Sequence, residues 1–280
     1  MSIGIIHPGA MGSSLGAALS AGGHTPHWAS DGRSQATRTR AGGDGLVDVG
    51  TLRALTNTCD IIISVCPPAE AVNVAESVAA LSFTGMYLDA NAVSPATART
   101  IAGRVESAGA TFVDGGIIGP PARHAGLTVL YLSGEAARCD AIAARFEGSP
   151  LATHLVGAEP GAASAVKMAF AAWTKGTSAL LLAVRALAEA EGVTEGLDHA
   201  WSVLTPELID RFPATVRGTA PKAWRFAGEM REIASTFDHA GLPGGFHEAA
   251  AEIYEALSDL RDYPDATEAD VIQRLTEPGP

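Results

Sequence analysis

Ile3-Gly4-Ile5-Ile6-His7-Pro8-Gly9-Ala10-Met11-Gly12 is a short apolar run that passes directly into a glycine-containing turn. Residues 3–6 read as a strand, and the helix that starts from Gly9 stops at Gly22-Gly23. Strand, glycine turn and helix in this order mark where a dinucleotide-binding fold puts its phosphate turn, with the pyrophosphate at the helix N-terminus. Gly9 would let the backbone approach a pyrophosphate, and Gly12 would let the helix lie close to the strand. His7 stands where the motif has its tight-turn glycine. His7, Pro8, Gly9, Ala10, Met11 and Gly12 are therefore candidate cofactor contacts; the alternative is a glycine turn with no ligand.

Outward from this turn, strand-type runs alternate with helical stretches as far as about Val156, the pattern of a mostly parallel sheet. The predicted strands are Ile3 to Ile6, Thr25 to Ala29, Ile61 to Val65, Met86 to Asp89, Thr111 to Asp114 and Leu127 to Leu132. Ser94-Pro95 reads as a helix cap followed by proline in the first turn, with the helix ending near Gly109. After Glu159-Pro160-Gly161 the strand signal ends, and residues 162–191 read as one long helix closing at Gly192. Further helices are predicted over Thr205 to Arg211, Lys222 to His239, Phe246 to Leu260 and Thr267 to Leu275. The expected fold is α/β: a doubly wound Rossmann domain over residues 1–160, then an all-helical domain over 161–280 for substrate binding and dimerisation.

The 280 residues carry 19 basic and 31 acidic side chains, a net charge of −12 that argues against nucleic acid or anionic membrane as partner. No apolar segment reaches the roughly 20 residues of a membrane span, and the N-terminal run is too short for a signal peptide. Three widely spaced cysteines, Cys59, Cys66 and Cys139, suggest neither disulfides nor zinc, so a reducing cytoplasm is expected. No cluster has metal-ligand spacing, and Gly-x-Ser-x-Gly is absent.

The end of the second strand, where the choice between NAD and NADP is made, reads Ser30-Asp31-Gly32-Arg33-Ser34. Asp31 suits a ribose hydroxyl, whereas Ser30, Arg33 and Ser34 suit a phosphate, with Arg33 opening the next helix. The balance favours NADP and leaves NAD open. On the long helix, Val166, Phe170, Trp173, Leu180 and Val184 share one side, expected to be core. Lys167, Thr174, Lys175 and Ser178, with Ala171 among them, form a polar stripe on another face. If that face looks toward the nicotinamide, Lys167 becomes a candidate general acid/base, its pKa lowered by burial and by Lys175. Cys66, ending a strand beside this region, reads as structural; His239 and His247 flank a Gly-rich turn and read as caps or surface groups.

Taken together, these stretches resemble the β-hydroxyacid dehydrogenase family, relatives of 3-hydroxyisobutyrate and 6-phosphogluconate dehydrogenases and of the imine reductases. The matching segments are Gly4 to Gly12, Asp60 to Pro67, Asp89-Ala90-Asn91-Ala92-Val93-Ser94-Pro95, Asp114 to Gly119 with Gly126-Leu127-Thr128, Gly161 to Lys167, and Glu229 to Ala234. The resemblance implies a nicotinamide cofactor, a dimerising helical domain and Lys167 as catalytic acid/base. It also implies cofactor contacts at Cys66, Pro67, Asn91 and Arg231, and substrate contacts at Ile118, Gly119, Pro120, Phe170, Ala171, Thr174 and Lys175. Three positions depart from the family pattern. Ile118-Gly119 replaces its Ser-Gly pair, Phe170 and Ala171 stand where an asparagine follows the lysine, and Ala92 replaces a threonine. The apolar loop points to a bulkier, less anionic substrate. The reading is an NADP-dependent oxidoreductase acting on a small carbonyl or alcohol, a cytoplasmic homodimer, with an imine reductase or a non-catalytic NADP-binding protein as alternatives.

Overall fold

The computed structural model describes residues 1–263 and 265–277. The strands are β1 (Ile3–Ile6), β2 (Pro26–Trp28), β3 (Val47–Asp48), β4 (Ile61–Ser64), β5 (Met86–Asp89), β6 (Thr111–Ile118), β7 (Thr128–Ser133) and β8 (Leu151–Gly157). Between them run α1 (Ala10–Ala21), α2 (Gln35–Gly43), α3 (Leu52–Thr58), α4 (Ala71–Ala79), α5 (Pro95–Ser107) and α6 (Ala136–Ala143). They form one sheet in the order β3-β2-β1-β4-β5-β6-β7-β8, parallel except where β6 meets β7.

The central strands are buried on both faces, which is why they read as unbroken apolar runs. One face packs Ile3, Ile5, Ile61 and Ile63 against Leu15 and Leu19 of α1; the other packs Ile6 and Ile62 against Leu55, Val78 and Ile101. Full burial of each such side chain contributes about 1.5–3 kcal/mol. α1 approaches closely because it presents Gly16, where a Cβ would fall 2.4 Å from Leu46 Cδ1. Ser94 caps α5 through the Thr97 N–H, with Pro95 in the first turn as expected.

Two strands were not foreseen in the sequence. β3 is two exposed residues, and β8 is an edge strand with no clean alternation. The chain then enters α7 (Ala162–Ala190), followed by α8 (Thr194–Leu204), α9 (Glu207–Thr219), α10 (Ala223–His239), α11 (Gly245–Ala256) and α12 (Glu268–Thr276). α12 starts with a Thr267/Asp270 capping box, in which each residue's side chain satisfies the other's backbone N–H. The two compact units divide at Met168, inside α7, rather than at 160. The physical reason is that the first turns of α7 are capped by the sheet, as shown below. The expected end of the helical domain, Pro280, lies outside the described residues.

Within the helical unit, the side of α7 expected to be core is the outward one. Phe170, Trp173 and Leu180 are 49%, 70% and 49% exposed and Val166 and Val184 half-buried, with Leu187 continuing the stripe at 61%, whereas Ala171, Ala172, Ala179 and Leu182 are buried. Small residues let α10 and α11 pack close, so the bulky stripe is left on the surface. No helix among the described residues is long and apolar enough to cross a membrane.

Candidate functional site

In an open α/β sheet, ligands bind beyond the carboxyl ends of the strands where the strand order reverses, here between β1 and β4. Immediately after β1 the backbone turns left-handed at His7 (φ 63°), a conformation costing a non-glycine residue about 1–2 kcal/mol. The His7 carbonyl accepts the Gly9 N–H at 2.7 Å. A Cβ on Gly12 would lie 2.6 Å from that carbonyl oxygen, so only glycine lets α1 start so close to the strand. A Cβ on Gly9 would meet nothing nearer than 4.0 Å, which leaves the outer side of the turn open. Gly9 and Ala10 are exposed, Met11 is half-buried, and Pro8 is buried with its carbonyl accepting from Arg40 at 3.4 Å. α1 has neither a side-chain cap nor an acidic residue in its first turn. Its leading N–H groups are thus offered to an external anion.

Burial, and then the charge of Arg33, pushes the His7 pKa down to about 4, so its ring is neutral at pH 7. Its Nδ1 is buried and has no partner. Arg33 Nε is likewise buried and unpartnered, and Arg33 makes no ion pair among the described residues. Burial lowers the Arg33 pKa, while Cys66 and Asp31 oppose the shift. Arg33 does not open α2 as expected, because Ser34 is the cap, its hydroxyl accepting the Thr37 N–H at 3.3 Å. Ser30 is buried; its N–H donates to Asp48 Oδ1 at 3.2 Å and its hydroxyl also bonds Asp48. Of Ser30, Arg33 and Ser34, only Arg33 retains an unengaged polar group. Arg38 fixes the loop by donating to the carbonyls of Ser30 (2.8 Å) and Arg33 (3.3 Å).

At the ends of β4 and β5, Asn91 accepts the Cys66 N–H at 2.6 Å and donates to Ser64 Oγ at 3.1 Å. Its side chain is thereby committed to positioning the Cys66-Pro67 segment, of which Pro67 is exposed. Burial, followed by Asp89, raises the Cys66 thiol to about 12, so no thiolate nucleophile is available there at neutral pH.

The first turn of α7, which leads into Lys167, is held by a network of residues distant in sequence. Asp114 Oδ2, on β6, accepts from the Gly161 N–H (2.9 Å), the Ser164 N–H (3.0 Å) and Ser133 Oγ (2.8 Å), and Oδ1 accepts from Ser164 Oγ (2.6 Å). Ser133 Oγ in turn accepts the Ala163 N–H at 3.0 Å. This carboxylate caps α7. A Cβ on Gly116 would fall 2.5 Å from the Ala163 carbonyl and 3.1 Å from Lys167 Cβ, so glycine on β6 brings the lysine against the end of the sheet. No local motif announces the cap, since its partners lie 47 to 50 residues apart.

The loop after β6 begins at half-buried Ile118. Gly119 (φ 128°) follows, where any Cβ would fall 2.2 Å from the Leu127 carbonyl. Thr128 Oγ1 donates to the Pro120 carbonyl at 2.7 Å, and the Ala122 N–H donates to Ser14 Oγ at 3.0 Å. Arg123 grips Asp44 with two bonds (2.5 and 2.8 Å), and Asp44 also accepts from Ser13. Ser13, Ser14, Asp44 and Arg123 were not singled out in the sequence, yet they fix this loop onto α1 and α2.

In the helical unit the expected polar stripe is an internal packing face. Lys175 Nζ pairs with Glu229 at 2.5 Å, both mostly buried, and lies 4.9 Å from the Phe226 ring centroid; its carbonyl accepts from Tyr254 Oη. Its charge, expected at the substrate site, is thus compensated by Glu229 within the helical unit. Ala171 is fully buried, Phe170 half-exposed, and Thr174 Oγ1 bonds the Phe170 carbonyl at 3.1 Å. Arg231 pairs with Glu255 at 2.5 Å, both exposed, an interaction worth little in water. His239 bonds the Ser235 carbonyl, while His247, expected as a cap or surface group, is buried between Phe237 and Phe246. The described residues hold no group of three or more His, Cys, Asp or Glu that could bind a metal.

A concavity of about 580 Å³ opens at the amino ends of β1, β4, β5 and β6, lined by Met1, Asn57, Asp60, Ser82 and Thr84 among others. The Asp60 carboxylate there is engaged by Ser2, and the glycine turn lies at the carboxyl end of β1, at the other end of the strands.

Residues 2–156 match the NAD-binding domain of 6-phosphogluconate dehydrogenase, and residues 188–257 match a domain of unknown function. An uncharacterised 28.5 kDa protein of Methanothermus fervidus is 32% identical over 166 residues, covering 59% of this chain and 62% of that protein. A solved protein of unknown function, noted for its similarity to 3-hydroxyacid dehydrogenases, is 26% identical with a TM-score of 0.66, covering 95% of this chain and 100% of that one. The 3-hydroxyisobutyrate dehydrogenase of Mycobacterium tuberculosis, solved with L-serine, shares the fold at 19% identity and a TM-score of 0.69, covering 98% of each chain.

Proposed function

The chain belongs to the family defined by the NAD-binding domain of 6-phosphogluconate dehydrogenase, and from that premise we propose that it is an NADP-dependent oxidoreductase acting on a carbonyl or alcohol carbon. The open glycine turn, the uncapped start of α1 and the orphan Arg33 Nε fit a dinucleotide. Gly9, Ala10, Met11 and Gly12 would hold its pyrophosphate, Arg33 its adenosine end, and the Cys66-Pro67 segment its flank. When bound, the nicotinamide supplies hydride in the reducing direction and accepts it in the oxidising one.

Lys167 is the acid/base in this reading. Its Nζ gives a proton to the carbonyl oxygen in reduction and takes it back from the hydroxyl in oxidation. The observation that carries the assignment is the Asp114 cap, together with Gly116, which fixes Lys167 at the carboxyl ends of the strands. The substrate is an uncharged or weakly anionic carbonyl compound. The loop after β6 presents no free hydroxyl at Ile118-Gly119, and its Arg123 is engaged by Asp44. Three free cysteines fit a cytoplasmic protein.

The outward apolar stripe of α7 supports a homodimer, since exposed aromatic and leucine side chains aligned on one helix face suit a contact surface. The test is NADPH oxidation across ketones, aldehydes and imines. Lys167→Ala should bind NADPH normally and lose kcat by about 10² or more. Unchanged kcat would remove Lys167 from the mechanism, and turnover of imines alone would move the reaction to C=N.

A further inference from the structure

We propose that the His7 imidazole joins Arg33 in receiving the 2′-phosphate of NADP, so that selection against NAD depends on both side chains; this rests on the nucleotide reading given above.

The turn makes no use of the ring. Its bonds run through the His7 carbonyl and the Gly9 N–H, and glycine would adopt φ 63° without the strain a histidine carries. Histidine here nevertheless buries Nδ1 with no partner, as Arg33 buries Nε. Each such nitrogen costs about 1–3 kcal/mol until an acceptor arrives. The two residues stand in the segments that leave the carboxyl ends of adjacent parallel strands, β1 and β2, paired at Ile5 and Trp28, and the Arg33 charge helps to lower the His7 pKa. A neutral imidazole can lie beside a guanidinium without repulsion, and an anion entering between them favours an N–H donor on the ring.

Two observations select the adenosine phosphate over the pyrophosphate. Arg33 follows β2, whose end faces the adenosine ribose in this fold, whereas the pyrophosphate has the N-terminus of α1. The hydroxyls of Ser30 and Ser34, the other donors of that loop, are taken by Asp48 and the α2 cap. A phosphate at Arg33 therefore finds its second side-chain donor in His7. The charged and titratable groups around the pair are consistent with this. Asp31 and Cys66 act on Arg33, while Arg38 and Arg40 are held on the carbonyls of Ser30, Arg33 and Pro8.

The experiment is equilibrium binding, by calorimetry and nicotinamide fluorescence, of NADPH and NADH, with adenosine 2′,5′-bisphosphate and 5′-AMP as probes lacking the nicotinamide. His7→Gly restores the residue the turn accommodates best, so its thermal midpoint without ligand should equal or exceed that of the native chain. It should lose NADPH and bisphosphate affinity by about tenfold or more while NADH and 5′-AMP change less than about twofold. His7→Asn, which tolerates the left-handed conformation and keeps a donor, should recover part of the loss. The His7→Gly/Arg33→Ala pair should cost less than the sum of the singles, because both act on one phosphate. The inference is overturned if His7→Gly binds NADPH as tightly as the native chain, or if it loses NADPH and NADH equally. A native chain that binds neither dinucleotide overturns the nucleotide reading itself, and this inference with it.

Discussion

Replacing Asp114 by asparagine keeps the shape of the α7 cap and removes its charge. Oδ2 accepts two backbone N–H groups and a hydroxyl, and these three bonds would pass to a neutral amide oxygen. Bonds to a charged acceptor contribute about 1.5–3 kcal/mol and neutral ones about 0.5–1.5, so each loses roughly 1 kcal/mol. Removing a carboxylate from a helix N-terminus costs about 0.3–1 kcal/mol more. The Ser164 hydroxyl can rotate to accept from the new amide, so no fourth penalty is added. The expected loss is about 3–4 kcal/mol, a fall in Tm of about 5–7 °C for a chain this long. Urea denaturation followed by circular dichroism measures it. A loss below about 1 kcal/mol would show that the carboxylate is not what holds the first turn of α7. Lys167 would then not owe its position to that turn.

Arg33→Ala should lower the ratio of NADPH to NADH affinity by about tenfold or more, measured by fluorescence titration; an unchanged ratio refutes the reading of the loop after β2. Trp173→Glu puts a charge into the exposed stripe of α7 and should convert a dimer to a monomer in light scattering. A native chain already monomeric at micromolar concentration would refute that interface.

The parallel sheet was legible because its strands are buried on both faces and its helices carry explicit punctuation, as at Ser94-Pro95 and Gly22-Gly23. β8 was not, since an edge strand buried on neither face consistently leaves no alternation to read. The orientation of α7 was misread for the opposite reason. Its bulky residues have a helical period, and a periodic apolar face is ordinarily the inner one, yet the alanine face packs inward. Lys175 looked like a site cation because its partner, Glu229, lies 54 residues away. The glycine turn and Lys167 carried visible signals, whereas Asp114, Ser133 and Arg123 act through partners that only the fold brings near.

The division of the chain inside α7 also governs how it can be dissected. A fragment ending at residue 160 would keep every strand yet strip Asp114 of three of its four donors, Gly161 N–H, Ser164 N–H and Ser164 Oγ, leaving a buried carboxylate on Ser133 alone. The shortest self-sufficient sheet unit therefore carries a stub of the helix past Ser164. Proteases that cut exposed linkers would find none at the division itself, because there the main chain is helical on both sides.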